Sequence, residues 1–176
     1  TRLVGSEMCI RDSNMISFTG SSMVGAKIME SGGKTMKRLL MELGGKGALI
    51  MTEDCDMQAA VGGIASVWGF HSGQICTAPP RVICHKSIYE ETVATLKATS
   101  EFMTVGDARE EGTLVGPVIT ETHRDRVESF IQSGIDDGAE VIVGGERPDR
   151  DGYFIAPTLL AGCNPDMHVV KEEAFG

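Results

Sequence analysis

The sequence has little positive charge: 16 Lys and Arg residues stand against 25 Asp and Glu residues, and the formal net charge is −9. Nucleic acids and anionic membrane surfaces attract clustered Lys and Arg, so this balance argues against both as partners. No apolar run approaches the ~20 residues that a membrane-spanning helix needs, and no secretory signal pattern opens the chain. These absences predict a cytoplasmic protein that binds neither nucleic acid nor a membrane.

Paired cysteines and metal-binding clusters are also lacking. The five cysteines are odd in number and have no CxxC spacing, which favours a reducing compartment. The four histidines are spread singly along the chain, so we expect no bound metal. What remains is an ordinary globular composition, 41% hydrophobic and 23% charged, which excludes a mainly disordered chain.

Strand-like and helix-like stretches alternate from Met15 onward. Short apolar runs predict strands buried in a parallel sheet, and longer stretches with apolar residues at helical spacing predict helices. The predicted strands are MISFTG, LLMEL, GALIM, RVICH and AEVIVGG. This alternation predicts an α/β fold, with a mainly parallel sheet and flanking helices.

The predicted helices differ in how much of their surface is apolar. SSMVGAKIMESGG begins after a Ser N-cap, and DMQAAVGGIASVWGF, capped by Asp56, is apolar nearly all round, so we expect it to be buried. Two later helices each have one apolar stripe, formed by Tyr89, Val93, Leu96 and Met103 and by Val127, Phe130, Ile131 and Ile135. The last of these helices leads into AEVIVGG, which predicts a further β-α-β unit.

Cys76 lies in GQIC, between a flexible glycine and a Pro-Pro break, which predicts a turn or loop. Backbone amides in such a loop can favour a thiolate, which is the nucleophilic form of cysteine. Taken alone, a single cysteine beside apolar residues is more often an inert core residue. The motif by itself leaves both interpretations open.

Two other motifs place functional residue types at strand ends. Glu42 in MELGGK ends an apolar strand, where a carboxylate can act as a general base or simply be exposed before a turn. FTGSSMVG places Gly20, Ser21 and Gly25 between a strand and a helix, where a phosphate can approach the helix N-terminus. Its glycine pattern is looser than GxGxxG, so a plain strand-helix turn explains it equally.

Taken in order, the motifs FTGSSMVG, MELGGK, FHSGQICTAPPR, VGPVI, APTLL and KEEAFG resemble the aldehyde dehydrogenase superfamily along nearly all of residues 16–176. The resemblance implies that Cys76 is the catalytic thiol and Glu42 the general base. It also implies that Gly20, Ser21 and Gly25 form the cofactor-phosphate turn, that the Leu43 backbone faces the nicotinamide, and that Glu173 and Phe175 hold the nicotinamide ribose and ring. The implied cofactor is NAD or NADP, and the substrate is a small-molecule aldehyde.

The resemblance also implies a truncated aldehyde dehydrogenase-like fold. Residues 1–13, TRLVGSEMCIRDS, have no apolar period, and we interpret them as a non-native leader. Residues 14–46 would be the C-terminal remnant of a dinucleotide-binding domain, and residues 47–176 a catalytic domain truncated at its C-terminus. We expect the oxyanion-binding Asn and the residues that choose between NAD and NADP to lie outside the chain. The chain alone should then be inactive, and the full-length form should be a homo-oligomer, a dimer or a tetramer.

Two other interpretations remain. A cysteine hydrolase would pair Cys76 with His71 or His85 as its base. A non-catalytic fragment would only pack against a partner. Within the family, Glu42 favours hydrolysis of a thioester over its transfer to a thiol such as CoA.

Overall fold

The computed structural model describes residues 13–176, so residues 1–12 of the predicted leader lie outside the described residues. The chain divides into two compact units, of which the first ends at Gly44 and the second runs from Gly45 to Gly176. The division falls within the glycine-rich stretch ELGGKG. The domain identities given to the two parts stay predictions. No helix in the described part of the chain is long and apolar enough to cross a bilayer.

The first unit is a single β-α-β motif. Strand β1 (Met15–Thr19) leads into helix α1 (Ser22–Gly33) and then into strand β2 (Arg38–Glu42). The two strands pair in parallel, from Met15 opposite Arg38 to Thr19 opposite Glu42. A parallel pair needs a crossover connection, and α1 supplies it. The predicted strands and helix of this unit are confirmed.

The second unit contains the remaining helices and strands. In chain order they are β3 (Ala48–Met51), α2 (Met57–Gly69), β4 (Arg81–Cys84), α3 (Tyr89–Glu101), α4 (Glu121–Asp136), β5 (Glu140–Val143), β6 (Leu159–Ala161) and α5 (His168–Lys171), with 3₁₀ turns at Phe70–Gly73 and Lys86–Ile88. Strands β3 and β4 pair in parallel, whereas β5 and β6 are antiparallel. Two of the three two-stranded sheets among the described residues are therefore parallel, and the α/β prediction is confirmed.

The predicted β-α-β unit that ends in β5 is wrong. Strand β5 pairs with the later strand β6, in the antiparallel direction. Gly144 and Gly145 follow β5 with φ angles of 75° and 84°, a left-handed conformation that reverses the chain. The Gly145 amide donates a hydrogen bond to Thr158 Oγ1 at 2.9 Å, which fixes this reversal.

The core of the second unit lies where α2 and α3 cover the β3–β4 sheet. Its buried residues are Met51, Val61, Ile64 and Leu96. Asp56 caps α2 as predicted, since its Oδ1 accepts a hydrogen bond from the Ala59 amide at 3.0 Å. The prediction that α2 is buried all round is wrong, because Val61 and Ile64 are its only buried residues.

The short apolar strands are covered on one face only, contrary to the prediction that they are buried. Leu40 is 47% exposed, Ile50 73% and Ile83 52%. A two-stranded parallel sheet with helices on one side leaves the alternate side chains of each strand uncovered.

The buried face of α3 differs from the predicted stripe. Thr92, Leu96 and Ser100 face inward, and Met103 lies beyond the end of the helix. Thr92 Oγ1 donates to the Ile88 carbonyl at 2.8 Å and Ser100 Oγ to the Lys97 carbonyl at 2.8 Å. Because each hydroxyl bonds to its own helix, it can be buried at little cost.

The stripe of α4 is confirmed at three of its four positions. Val127, Phe130 and Ile131 are buried. Ile135, in the last turn of the helix, is 38% exposed. The apolar spacing therefore identified the inward face of α4 correctly.

Candidate active site

Ser21 lies at the N-terminus of α1, as the sequence predicted. Its backbone is extended, and its Oγ accepts a hydrogen bond from the Val24 amide at 3.3 Å. The first amides of a helix have no partner within the helix, and the helix dipole favours negative charge there. Ser21 is exposed, so this helix start is accessible to an anion such as a phosphate.

Gly20 and Gly25 join this turn to the end of β2. The Gly20 amide donates to the Glu42 carbonyl at 3.0 Å, which extends the pairing of the two strands. A Cβ at Gly25 would lie 2.6 Å from Cδ2 of Leu43, so Gly25 is required for close packing of α1 on the residue after β2. The first unit thus brings together four of the predicted site residues, Gly20, Gly25, Glu42 and Leu43. The Glu42 side chain, at the last position of β2, is exposed.

The turn that leads to Cys76 has an unusual backbone. His71, Ser72 and Gly73 have φ angles of 48°, 56° and 74° in succession. Left-handed conformations are common for glycine but rare and unfavourable for other residues. Two non-glycine residues keep this conformation only where their surroundings fix it.

Hydrogen bonds with the VGPVI loop hold His71, Ser72 and Gly73 in this conformation. Ser72 Oγ donates to the Gly116 carbonyl at 2.8 Å, and Gln74 Oε1 accepts from the Ile119 amide at 3.2 Å. Gln74 Nε2 also donates to the His71 carbonyl at 2.8 Å. The motifs FHSGQIC and VGPVI are therefore parts of one structure. Sequence reasoning missed the roles of Ser72 and Gln74, because nothing in the spacing of these loops predicts that they meet.

Cys76 emerges from this turn as an exposed residue. The Ile75 amide donates to the Gly73 carbonyl at 2.8 Å and the Ala78 amide to the Ile75 carbonyl at 3.1 Å, so Cys76 is the second residue of a tight turn that follows another. A Cβ at Gly45 would lie 3.6 Å from the Cys76 carbonyl oxygen, so Gly45, the first residue of the second unit, lies close to the Cys76 backbone. The core-cysteine interpretation is wrong for Cys76.

The other described cysteines differ from Cys76 in their surroundings. Cys55 and Cys84 are half-buried and pack against the core, as expected for structural residues. Cys163 is exposed, and partial burial raises the pKa of its thiol. A thiol whose pKa is raised is a poorer nucleophile near neutral pH.

The histidines named for a cysteine hydrolase make other contacts. The His71 ring lies against the Phe70 ring, with 4.2 Å between centroids. His85 Nδ1 is 2.8 Å from Ser87 Oγ. Among the described residues no hydrogen bond joins either histidine to Cys76, so the structure gives the hydrolase interpretation no support. The same residues contain no group of three His, Cys, Asp or Glu side chains that could hold a metal ion, and the expectation of no metal stays a prediction.

Glu173 and Phe175 lie in an irregular segment after α5. Glu173 Oε1 accepts a hydrogen bond from the Gly45 amide at 3.2 Å. Phe175 has a φ angle of 64°. Two side chains of α4 hold the backbone here: Arg126 Nη2 donates to the Glu173 carbonyl at 2.7 Å, and His123 Nε2 lies 2.6 Å from the Phe175 carbonyl oxygen. The apolar stripe predicted for α4 includes neither His123 nor Arg126 and gave no signal of these contacts.

Lys46, in the glycine-rich stretch, and Arg81 form a cationic pair. Arg81 Nη2 donates to the Lys46 carbonyl at 2.5 Å. Burial lowers the pKa of Lys46, and the nearby Arg81 guanidinium lowers it further. Lys46 is therefore easier to deprotonate than an ordinary lysine.

A cavity of about 750 Å³ lies within the second unit. Its lining is mainly apolar and includes Trp68, Leu96, Val127, Phe130 and Ile131. Gly116 and Gly176 lie at this cavity, but Cys76 is not among the described residues that line it. Ser72, in the turn before Cys76, does line the cavity.

Comparison with known proteins identifies the family. The model of the aldehyde dehydrogenase family matches residues 2–176. The chain belongs to the aldehyde dehydrogenase family. It is 38% identical over 166 residues to a mitochondrial aldehyde dehydrogenase of Leishmania tarentolae, a match that covers 94% of this chain and 33% of the relative. It is 36% identical over 178 residues to a betaine aldehyde dehydrogenase of Bacillus subtilis, which covers 98% of this chain and 36% of that protein.

Solved structures of this family share the fold. The structure of an aldehyde dehydrogenase from Bacillus cereus described as an NAD+ complex matches with a TM-score of 0.89 and 36% identity, over 93% of this chain and 33% of that one. This member of the family therefore spans about a third of the length of the relatives it matches. The truncated aldehyde dehydrogenase-like fold expected from the motifs is confirmed.

Proposed function

We propose that the complete enzyme containing this chain oxidises an aldehyde to a carboxylic acid with NAD or NADP. The observation that carries the proposal is the exposed thiol of Cys76, presented after a strained turn that hydrogen bonds hold in place. Strained backbone that its surroundings fix is a feature of functional sites. Membership of the aldehyde dehydrogenase family supplies the reaction class.

The described residues fit a nicotinamide dinucleotide at two places. In the first unit, the start of α1 at Ser21 offers unpaired amides to a phosphate. In the second unit, Glu173 Oε1 accepts a hydrogen bond from the Gly45 amide, and the second oxygen of this carboxylate can accept one from a ribose hydroxyl. When bound, the oxidised nicotinamide accepts a hydride from the substrate. Gly20, Gly25, Leu43 and Phe175 complete the proposed cofactor contacts.

Cys76 and Glu42 carry the covalent chemistry in this proposal. The Cys76 thiolate attacks the aldehyde carbonyl carbon, and the carbonyl oxygen becomes the alkoxide of a thiohemiacetal. Loss of the hydride leaves a thioester on Cys76. Glu42 takes a proton from water, whose oxygen attacks the acyl carbon, and the carbon–sulfur bond breaks to give the acid and the thiolate.

The remaining properties of the complete enzyme are proposals as well. NAD is supported by the Bacillus cereus relative, which is described as an NAD+ complex, and NADP stays open. We propose a cytoplasmic homo-oligomer, a dimer or a tetramer. We also propose that this chain alone is inactive, since loss of one oxyanion donor typically slows an enzyme by ~10²–10³. A non-catalytic fragment that packs on a partner is the alternative.

The proposal is tested by assaying a complete enzyme built around these residues against a panel of aldehydes with NAD and with NADP. We expect cofactor reduction and an acid product, and complete loss of both in Cys76→Ala. Cys84→Ala is the matched control, because Cys84 packs against the core and should leave turnover in place. Acid formation without a nicotinamide cofactor would favour a hydrolase and overturn the proposal.

A further inference from the structure

Two side chains tie the turn before Cys76 to the VGPVI loop, which lies much later in the chain. Ser72 Oγ donates to the Gly116 carbonyl, 44 residues away, and Gln74 Oε1 accepts from the Ile119 amide, 45 residues away. Gln74 lies only two residues before Cys76, so a shift of its backbone also moves the thiol. From these contacts we propose that Ser72 and Gln74 are positioning residues for the Cys76 thiol.

The VGPVI loop is itself held firmly and can therefore support the turn. Val115 and Val118, on either side of Gly116, are each 5% exposed. The Val115 amide donates to the Thr104 carbonyl at 3.0 Å, and the Val118 amide donates to the Tyr153 carbonyl at 3.0 Å. Buried side chains and backbone hydrogen bonds thus fix the part of the loop that Ser72 and Gln74 reach.

Gln74 links the loop to the strained part of the turn. Its Nε2 donates to the His71 carbonyl at 2.8 Å, while its Oε1 accepts from the Ile119 amide at 3.2 Å. One side-chain amide therefore uses both its donor and its acceptor, each on a backbone group. Because His71 has a φ angle of 48°, this bridge holds a strained residue against a fixed loop.

Ser72 supports the next strained position. Its φ angle is 56°, which is unfavourable for a residue other than glycine. Its hydroxyl donates to the Gly116 carbonyl at 2.8 Å. Without this bond the Ser72 backbone would relax toward an ordinary conformation, and the residues that follow it, Cys76 included, would change position.

The kind of residue at these positions favours a functional role over a purely structural one. Glycine adopts left-handed angles without strain, so a turn that served folding alone could use it throughout. Here only Gly73 is a glycine, and His71 and Ser72 keep the strained conformation. Strained backbone that specific contacts hold in place is typical of functional sites. The strain lies directly before the candidate nucleophile.

The inference rests on the proposed function, because the position of the thiol affects the rate only if Cys76 attacks the substrate. A nucleophile displaced from its attack geometry reacts more slowly with a bound aldehyde. Ser72 and Gln74 donate to backbone carbonyls or accept from a backbone amide, and need not contact the aldehyde or the cofactor. Their loss should therefore lower kcat and leave KM for NAD+ nearly unchanged.

The experiment measures kcat and KM for NAD+ in the complete enzyme, at a temperature where circular dichroism shows each variant to be folded. Gln74→Met keeps the length of the side chain but lacks its amide, and should lower kcat about three- to tenfold. Ser72→Ala should lower kcat by a similar factor. Gln74→Glu keeps an acceptor for the Ile119 amide and should stay within about twofold of the wild-type kcat.

Two matched controls bond within their own helices. Ser66 Oγ donates to the Gly63 carbonyl at 2.8 Å, the same distance as in the Ser72 contact, but inside α2. Gln132 Nε2 donates to Asp136 Oδ1 inside α4. Ser66→Ala and Gln132→Ala should leave both kcat and KM unchanged.

The outcomes separate the inference from the proposed function. A wild-type complete enzyme that oxidises no aldehyde with NAD+ or NADP+ would overturn the proposed function. An active wild-type enzyme whose kcat is unchanged in Gln74→Met and Ser72→Ala would overturn this inference alone. The inference also fails if Gln74→Glu loses as much kcat as Gln74→Met, because the bond to the loop would then contribute nothing. A rise in KM for NAD+ as large as the fall in kcat would contradict it too, since that pattern reports general damage to the site.

Discussion

Gly73→Ala tests whether the turn before Cys76 depends on both backbone conformation and close contact. Gly73 has a φ angle of 74°, where an alanine is unfavourable by about 1–2 kcal/mol. The new Cβ would also lie 2.9 Å from the carbonyl carbon and 3.3 Å from the carbonyl oxygen of Gly176. These are backbone atoms that cannot rotate away, and overpacking adds about 1–3 kcal/mol. The two effects together predict a loss of about 2–5 kcal/mol.

Gly112→Ala is the matched control. Gly112 has a φ angle of 86°, and nothing lies within 4 Å of the position that an alanine methyl group would take there. It should therefore lose only the conformational part, about 1–2 kcal/mol. In urea unfolding of the complete enzyme, Gly73→Ala should have the lower midpoint, and only this variant should change the rate of Cys76 alkylation. Equal midpoints and equal alkylation rates in the two variants would refute the argument that Gly176 packs tightly on this turn.

Two further predictions concern the core and the cationic pair. Leu96 is 2% exposed, so Leu96→Ala should lower the free energy of unfolding by about 2–5 kcal/mol. Leu114 is 58% exposed, and Leu114→Ala should lower it by far less. Similar losses in the two variants would contradict the assigned core. Because the pKa of Lys46 is lowered from 10.5, the unfolded chain binds its proton more tightly, and stability should rise with pH from the lowered pKa up to about 10.5. Labelling of Lys46 by acetic anhydride should show a midpoint below 10.5 that moves upward in Arg81→Gln, and an unmoved midpoint would exclude Arg81 as a cause.

Local signals in the sequence were sufficient for much of the fold. Ser21 and Asp56 were identified as helix caps because a short polar side chain before an apolar period has one main use there. Glu42 was correctly placed at the end of its strand for a similar reason, since glycines follow it directly. The pairing of β5 could not be predicted, because it depends on two glycine φ angles and on a contact with Thr158, thirteen residues away from Gly145.

Burial was harder to predict than secondary structure. Helix α2 is apolar nearly all round, yet in this chain only one side of it is covered. Thr92 and Ser100 were placed outside the apolar stripe, but their hydroxyls bond within α3 and can turn inward. Apolar spacing reports which side chains can be buried, whereas the elements actually present decide which ones are.

The candidate site was also predicted only in part: its residue types were predicted, and the contacts between its loops were not. The motifs identified the residue types, and the structure confirms that Cys76 lies in a turn and that Ser21 caps the start of a helix. The contacts made by Ser72, Gln74 and His123 depend on loops far apart in the chain. No periodic pattern encodes such contacts. The catalytic roles of Cys76 and Glu42 stay predictions.

The most direct test of the central claim is the mass of the Cys76 peptide after one turnover. In a complete enzyme carrying Glu42→Gln, aldehyde and NAD+ should give a burst of NADH that then stalls, because the acyl group stays on sulfur when water is not activated. Digestion should recover that acyl group on Cys76. A missing burst in a variant whose Cys76 still reacts with iodoacetamide, or an acyl group on another cysteine, would contradict the account.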